Sequence, residues 1–328
     1  MTEKLMENLY MIEIPLPRNP LKTLNSYLIK GDDRNLLIDT GFNREECFDT
    51  ITSALDELDV DLNRTDIFIT HMHADHSGLA ARLMGEGSLI YCSGVDGDII
   101  NSSNKGEYWD RLEESFYAHG LPEDVADRNN RVHPGWVYRT GKDIDFTIVE
   151  DGDVLEVGDY SLKCVHTPGH TAGHMCLYDG GKQMLFSGDH ILGDITPVIS
   201  IGLAQKNPLG SYMESLNRIE QLPIKNIFSA HRRRIADPYK RIEEIRKHHG
   251  HRLEEILKIL QEGPKSAYET AAKMTWDIWC KSWDDFPPQQ KWFATGEAAA
   301  HLLYLWYEKK IDKVEVKKGR LPCHVFKL

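Results

Sequence analysis

The sequence predicts an α/β fold followed by a smaller, mainly helical module, and three observations predict it. Short apolar runs ending in Gly or Pro alternate with segments of helical periodicity over the first two thirds of the chain. Beyond Asp237 the strand-like runs give way to long helical patterns. The charge changes sign at the same place: residues 1–235 carry 22 basic and 37 acidic groups, and residues 236–328 carry 17 and 14. A chain of 328 residues suits one large or two unequal domains, here divided as 1–235 and 236–328.

The elements follow in order. NLYMIEIPL, NSYLIKG and NLLIDTG read as strands, and REECFDTITSALDEL carries apolar residues at helical spacing. DIFIT is a brief strand running into HMHADHSG; LAARLM then starts a helix and SLIYCS returns to strand. Residues 104–145 break the pattern with an aromatic-rich helical stretch (Tyr108, Trp109, Phe116, Tyr117) and a loop holding Arg131, His133, Trp136 and Arg139, read as a packed insertion. From Gly152 to Asp189 four strand-like runs are separated by Gly-Asp, Pro-Gly and Gly-Gly turns. PLGSYMESLNRIEQL reads as a helix with Pro208 in its first turn, and NIFSAH as a last strand ending at His231. The tail contains a long amphipathic helix from Asp237, a shorter one at KSAYETAAKMTWDIW, a strongly apolar one at GEAAAHLLYLWYEKK and a closing hairpin around Lys318-Gly319. Three helices and a hairpin suggest a winged-helix-like module.

Composition excludes several classes. Hydrophobic residues at 41% and charged residues at 27% are ordinary for globular proteins and rule out wholesale disorder. An acidic front of net charge −15 disfavours a catalytic part that tracks a nucleic-acid backbone. No uninterrupted apolar run approaches the roughly 18 residues of a membrane span, and MTEKLMENLY has no apolar leader. Six cysteines without a C-x-x-C pair fit reduced, mostly buried thiols. The expectation is a soluble cytoplasmic protein that neither enters nor binds a membrane.

The chemistry is concentrated in His71-Met72-His73-Ala74-Asp75-His76. Side chains two apart in an extended loop point the same way, so His71 and His73 can grip one ion, while Asp75 and His76 turn toward a neighbouring position. Imidazole and carboxylate donors without thiolate suit Zn²⁺, with iron or manganese as alternatives. Three further candidates sit where loops leave strands: His170, Asp189 and His231. His166, His174 and His190 read as turn or supporting residues, and His248, His249 and His251 as a solvated helix face. Arg232, Arg233 and Arg234 cannot all point one way, so a joint anion site is disfavoured.

LIDTG at 37–41, THMHADHSG at 70–78, TPGHTAGH at 167–174 and FSGDH at 186–190 together resemble the metallo-β-lactamase superfamily. The resemblance implies a four-layer αβ/βα sandwich. It also implies one metal held by His71, His73 and His170, a second held by Asp75, His76 and His231, Asp189 bridging them, and Asp39 hydrogen-bonding a ligand imidazole. Ser229-Ala230-His231 stands where the family usually shows Pro-Gly-His. The tail is similar to the C-terminal domain of the lactamase-beta-like 2 subgroup.

The function this implies is a dinuclear metal-dependent hydrolase. A hydroxide bridging two divalent ions, zinc first, would cleave a small ester, thioester or lactone, with Asp75 also accepting a proton. The alternatives are a phosphodiesterase or ribonuclease of the same fold and an iron-dependent persulfide dioxygenase-like enzyme. A DNA-binding regulator using the tail is weakest, because the tail is only +3. The expected partner is a small-molecule substrate, and a homo-oligomer is left open.

Overall fold

In LYMIEIP, Ile12 and Ile14 point to one buried face and Leu9 to the opposite one, while Glu13, between the two isoleucines, turns to solvent, as the period of two along a strand requires. The structure, a computed structural model, describes residues 1–130, 132–278, 280–318 and 321–328. Arg131 in the expected insertion loop, Trp279 at the end of KSAYETAAKMTWDIW and Gly319 at the expected hairpin turn lie outside the described residues.

In chain order the elements are β1 (Thr2–Met6), β2 (Leu9–Pro15), β3 (Thr23–Ile29), β4 (Asn35–Ile38), α1 (Glu45–Glu57), β5 (Thr65–Phe68), α2 (Ala74–Ser77), α3 (Ala80–Leu83) and β6 (Ile90–Cys92). Next come α4 (Gly94–Ser103), α5 (Gly106–Tyr117), α6 (Glu123–Asn130), α7 (Pro134–Val137), β7 (Thr147–Ile148), β8 (Val154–Val157), β9 (Tyr160–His166), β10 (Met175–Asp179), β11 (Met184–Gly188), α8 (Pro208–Glu220) and β12 (Asn226–Ser229). The tail holds α9 (Pro238–Leu260), α10 (Ala267–Ala271), α11 (Pro288–Tyr307), β13 (Asp312–Lys318) and β14 (Leu321–Lys327).

Strands β1 to β7 form one sheet in sequence order, antiparallel up to β4 and parallel from β4 onward. The second sheet runs β12-β11-β10-β9-β8, with only the β11/β12 pair parallel. Their inner faces share a core that includes Leu9, Tyr27, Ile38 and Phe68 from the first sheet and Leu162, Leu177, Phe186 and Phe228 from the second. The outer face of the first sheet packs on α1 and α3 through Leu37, Ile51, Leu55 and Leu83, and that of the second packs on α8 and α9 through Leu185, Leu216, Ile242 and Ile245. These layers are the expected four-layer sandwich. The edge strand β1 carries too few apolar residues to be read as a strand from its sequence; pairing with β2 makes it one.

The insertion and the tail share a third core. Trp109, Phe116, Leu121 and Val125 pack with Ile256, Trp292, Leu302 and Phe326, and Phe116 stacks on Trp292 with ring centroids 3.8 Å apart. Helix α9 takes part in two cores: Ile242 and Ile245 belong to the sandwich, whereas Ile256 and Ile259 belong to the shared core. The tail follows the expected order of helices and hairpin, although α10 is only five residues long, ended by its own capping box at one side and by Lys273-Met274 turns at the other. Among the described residues no helix is long and apolar enough to cross a membrane.

Two backbone hydrogen bonds close the sheets onto each other where the histidines lie. The Asn25 N–H donates to the Ala230 carbonyl at 2.7 Å, and the Met175 N–H donates to the Thr70 carbonyl at 2.9 Å. The ends of β3, β5, β10 and β12 are thereby drawn to one edge.

Candidate metal centre

The chain bends through residues 70–72 after β5, and His73 then takes the N-cap position of α2 with φ −63° and ψ 145°. That change of direction is why His71 and His73 face one point while Asp75 and His76, in the first turn of α2, face another. His71 Nε2 and His170 Nε2 each lie 3.0 Å from His73 Nδ1. The edge of a zinc-centred tetrahedron with bonds of about 2.0–2.1 Å is about 3.3 Å, so these nitrogens already stand at nearly that spacing. His71, His73, His170 and Asp189 form one group whose ligand atoms lie within 4.8 Å of one another, and Asp75, His76 and His231 form a second.

Asp189 joins the two groups. Its Oδ2 lies 3.5 Å from His170 Nε2, and its Oδ1 lies 3.4 Å from His231 Nε2 and 3.6 Å from His76 Nε2. Asp75 Oδ2 is 3.4 Å from His231 Nε2. All seven expected ligand residues are therefore brought together.

The far side of each ring decides which nitrogen is free. His170 Nδ1 meets the Val198 carbonyl at 2.8 Å, and His231 Nδ1 meets the Thr23 carbonyl at 2.7 Å. A carbonyl only accepts, so each Nδ1 must carry a proton and each Nε2 is the ring atom turned inward. His76 Nδ1 donates to Asp39 Oδ2 at 2.7 Å, with the same result. Asp39 also accepts from the Thr70 N–H at 2.9 Å and from Thr70 Oγ1 at 2.8 Å, leaving Thr70 Oγ1 to accept from His71 Nδ1 at 3.1 Å. Asp39 thus hydrogen-bonds His76 from a left-handed backbone at φ 61° that few non-glycine residues adopt.

Inward, the ring nitrogens of His71, His73 and His170 meet only one another. His76 Nε2, His231 Nε2 and Asp189 Oδ1 are buried and have no hydrogen-bond partner. Buried polar atoms are rarely orphaned, and orphaned lone pairs that converge fit a cation. Burial, together with neighbouring imidazoles, lowers the proton affinity of His71 and takes His73 down to about 3, so both are neutral donors. Burial acts against the charged form of His76 as well, yet Asp39, Asp189 and Asp75 outweigh it and raise the ring to about 10. His231 is raised for the same kind of reason, by Asp189 and Asp75. The carboxylates hold a positive charge at this position, as a proton or as a metal ion.

Other expected residues fall elsewhere. His174 accepts from the Asp189 N–H at 3.2 Å and so supports the bridging residue, while His166 meets the Ala172 carbonyl at 3.0 Å. The His190 ring packs against Tyr212 at 5.1 Å and does not join either ligand group. Arg232 binds the Pro20 carbonyl, Arg233 pairs with Asp194 and Arg234 with Glu3, three different directions. His249 corrects the expectation of a solvated face: it is buried against His301, because α11 covers that side of α9. Asp96 was not anticipated. Its carboxylate accepts hydrogen bonds from both ligand-bearing loops, yet in SGVDGD it reads only as an acid near a helix start.

Comparison with known proteins agrees with this geometry. Residues 22–231, more than half of the chain, match the family described as Metallo-beta-lactamase superfamily, and residues 253–321 match Metallo-beta-lactamase-like, C-terminal domain. Lactamase-like protein aptB of Emericella nidulans is 26% identical over 242 residues, 74% of this chain and 62% of its own length. The Beta-lactamase-like protein 2 homolog of Caenorhabditis elegans is 28% identical over 248 residues, 74% of this chain and 67% of its own. The Atrochrysone carboxyl ACP thioesterase of Emericella nidulans is 25% identical over 207 residues, 62% of this chain and half of its own length. The chain thus spans about three fifths of the fungal lactamase-like relative and half of the thioesterase. The crystal structure of a metallo-beta-lactamase family protein from Thermus thermophilus superposes with a TM-score of 0.81 at 28% identity, covering 99% of both chains.

Proposed function

The chain belongs to the metallo-β-lactamase superfamily, and from that premise we propose that it is a dinuclear metal-dependent hydrolase of a small ester, thioester or lactone, the thioester first. The observation that carries the reading is the Asp189 carboxylate, which turns one oxygen to each ligand group. The donor set of imidazoles and carboxylates fits two divalent cations, zinc before iron or manganese. When bound, such ions polarise the scissile carbonyl and lower the pKa of water toward about 7.

The chain's own residues do the rest. Asp39, Thr70, Thr23 and Val198 fix the imidazoles so that each lone pair points inward, which removes the reorganisation that would otherwise accompany reaction. Burial alone would raise the proton affinity of Asp75, yet His76 and His231 hold its carboxyl well below the usual carboxylate range. It stays ionised, and we assign it the transient acceptance of a proton as water attacks, handing it on to the leaving group. The thioester is placed first because a relative is named as a thioesterase acting on a carrier protein. The small-molecule reading is supported by the net charge of −15 over residues 1–235, which disfavours tracking a nucleic-acid backbone. The buried cysteines Cys47, Cys92, Cys164, Cys176 and Cys323 suit the cytoplasm.

Metal analysis combined with turnover of an ester, a thioester, a lactone and a phosphodiester tests the proposal. Asp189→Asn should lose about 100-fold or more of turnover, comparable to removing a main electrostatic contributor, with an unchanged circular dichroism spectrum. Wild-type turnover in that variant sinks the bridging role. Iron with oxygen uptake, or cleavage of the phosphodiester alone, overturns the substrate class.

A further inference from the structure

We infer that Asp96 is a positioning residue that locks the loop carrying His71 and His73 to the loop carrying His170, holding the three imidazole nitrogens at metal-binding distance before an ion arrives. The inference rests on the metal reading above and adds a residue to it that lies outside the family motifs quoted for this chain.

Asp96 is fully buried near the start of α4. Its Oδ2 accepts from the Met72 N–H at 2.9 Å and from Thr171 Oγ1 at 2.6 Å, and its Oδ1 accepts from the Gly173 N–H at 2.7 Å. Met72 lies between His71 and His73, and Thr171 follows His170, so one carboxylate ties together two segments about a hundred residues apart in the chain. Among the described residues no lysine or arginine pairs with it. A buried carboxylate without a cationic partner is costly unless its lone pairs are filled, and here three donors from the two loops fill them.

The surroundings are shaped to this contact. A Cβ on Gly173 would lie 2.1 Å from Ser93 Oγ and 2.7 Å from Asp96 Oδ1, so only glycine lets that amide reach the carboxylate. Ser93 caps α4 by accepting from the Asp96 N–H at 3.3 Å, which fixes where Asp96 starts. An amide side chain cannot replace the acid. With three donors arriving on two oxygens, one NH₂ group must face an N–H or O–H, and at least one tie between the loops is lost.

The effect acts through the ligands and not on a substrate, so it is read by metal binding. The full chain, stripped of metal, is titrated with zinc against a chromogenic chelator and with cobalt by its visible spectrum. Outer partners of metal ligands change affinity by about 10- to 100-fold when removed, and Asp96→Asn should weaken a zinc-binding step by that much and alter the cobalt band. Thr171→Val, which removes one donor, should weaken binding several-fold, and Thr171→Ser, which keeps the hydroxyl, should restore it. If Asp96→Asn does not fold, the Thr171 pair decides. Wild-type zinc affinity in Asp96→Asn and Thr171→Val, or a Thr171→Ser as weak as the valine variant, overturns the clamp alone. A wild-type chain that takes up no zinc or cobalt overturns the metal reading and the clamp with it.

Discussion

The sandwich and the appended helices each bury a group of histidines, arranged in opposite ways. In the sandwich Nδ1–H groups point outward to Thr23, Val198 and Asp39, and the Nε2 atoms face a common centre. In the helices His301 Nδ1 donates to the Glu297 carbonyl at 2.8 Å, so its Nε2 accepts from His249 Nδ1 at 3.0 Å. The nearby Arg252 is likewise engaged with Glu255, Glu297 and the Thr275 carbonyl and lies over the Trp276 ring. The helical pair leaves one isolated buried atom, His249 Nε2, without a partner, whereas in the sandwich His76 Nε2, His231 Nε2 and Asp189 Oδ1 lie without partners side by side. The difference teaches that convergence of ring nitrogens and carboxylate oxygens without protein partners, and not crowding of histidines, marks a candidate metal centre.

His73→Ala is the sharpest way to break the comparison. His73 Nδ1 is the atom both His71 and His170 approach, and its loss should exceed the roughly 100-fold cost of removing a supporting partner. Bound metal should fall from two ions to one or fewer, and turnover with it, by elemental analysis and assay. Metal content unchanged in this variant would place the site elsewhere.

The pH dependence of stability should separate the two clusters next. His76 is raised to about 10 in the chain without metal, against about 6.5 unfolded. The folded state then binds more protons than the unfolded one between those values, so stability is fully present below pH 6.5 and is lost as pH rises, by up to about 1.4 kcal/mol per pH unit for this group. Chelator-treated protein should therefore melt lower at pH 9 than at pH 7, and metal-loaded protein should not, because the ion replaces the proton. On the acid side both clusters act with the opposite sign, because burial lowers His71 and His73 in the sandwich and takes His301 in the helices to about 4: the unfolded chain takes up protons first and stability falls below pH 6.5, so only the alkaline limb tells the clusters apart. A flat profile of the stripped protein from pH 7 to 9 would contradict the charge reading of the centre.

His301→Ala should have the smallest effect and sharpen the contrast from the other side. It leaves the buried His249 Nδ1–H without an acceptor, at a cost of about 1–3 kcal/mol in denaturant unfolding. Zinc affinity should stay at the wild-type value; a fall would mean that the two clusters are coupled through Tyr212, which packs on His249 at 5.5 Å and donates to the His190 carbonyl at 2.8 Å.

The cluster of candidate ligands at 71–76 can be read in the sequence because its donors are contiguous, and the turn at His73 directs them toward two points. His170, Asp189 and His231 were legible as polar residues just beyond apolar strands, where loops leave a sheet. Asp96 and His249 were not. An aspartate near a helix start is usually a capping residue and a histidine on an amphipathic helix is usually solvated, and nothing within ten residues of either says which loops or helices will cover it. The insertion also reads as a lone packed excursion, and only its contact with α11 shows that it completes the core of the tail.

What the amino-acid sequence determined by itself was the inventory and its order: which elements form, which donors sit at their ends, and a donor set suited to borderline divalent ions. Periodicity and turn chemistry act over a few residues, so these features survive reading in one dimension. The tertiary structure alone decided which lone pairs are free and what holds them. That depends on contacts such as His73 with His170, 97 residues apart, and the Asn25 N–H with the Ala230 carbonyl. Such contacts are set by how two sheets pack and register, not by any local preference of the residues that make them.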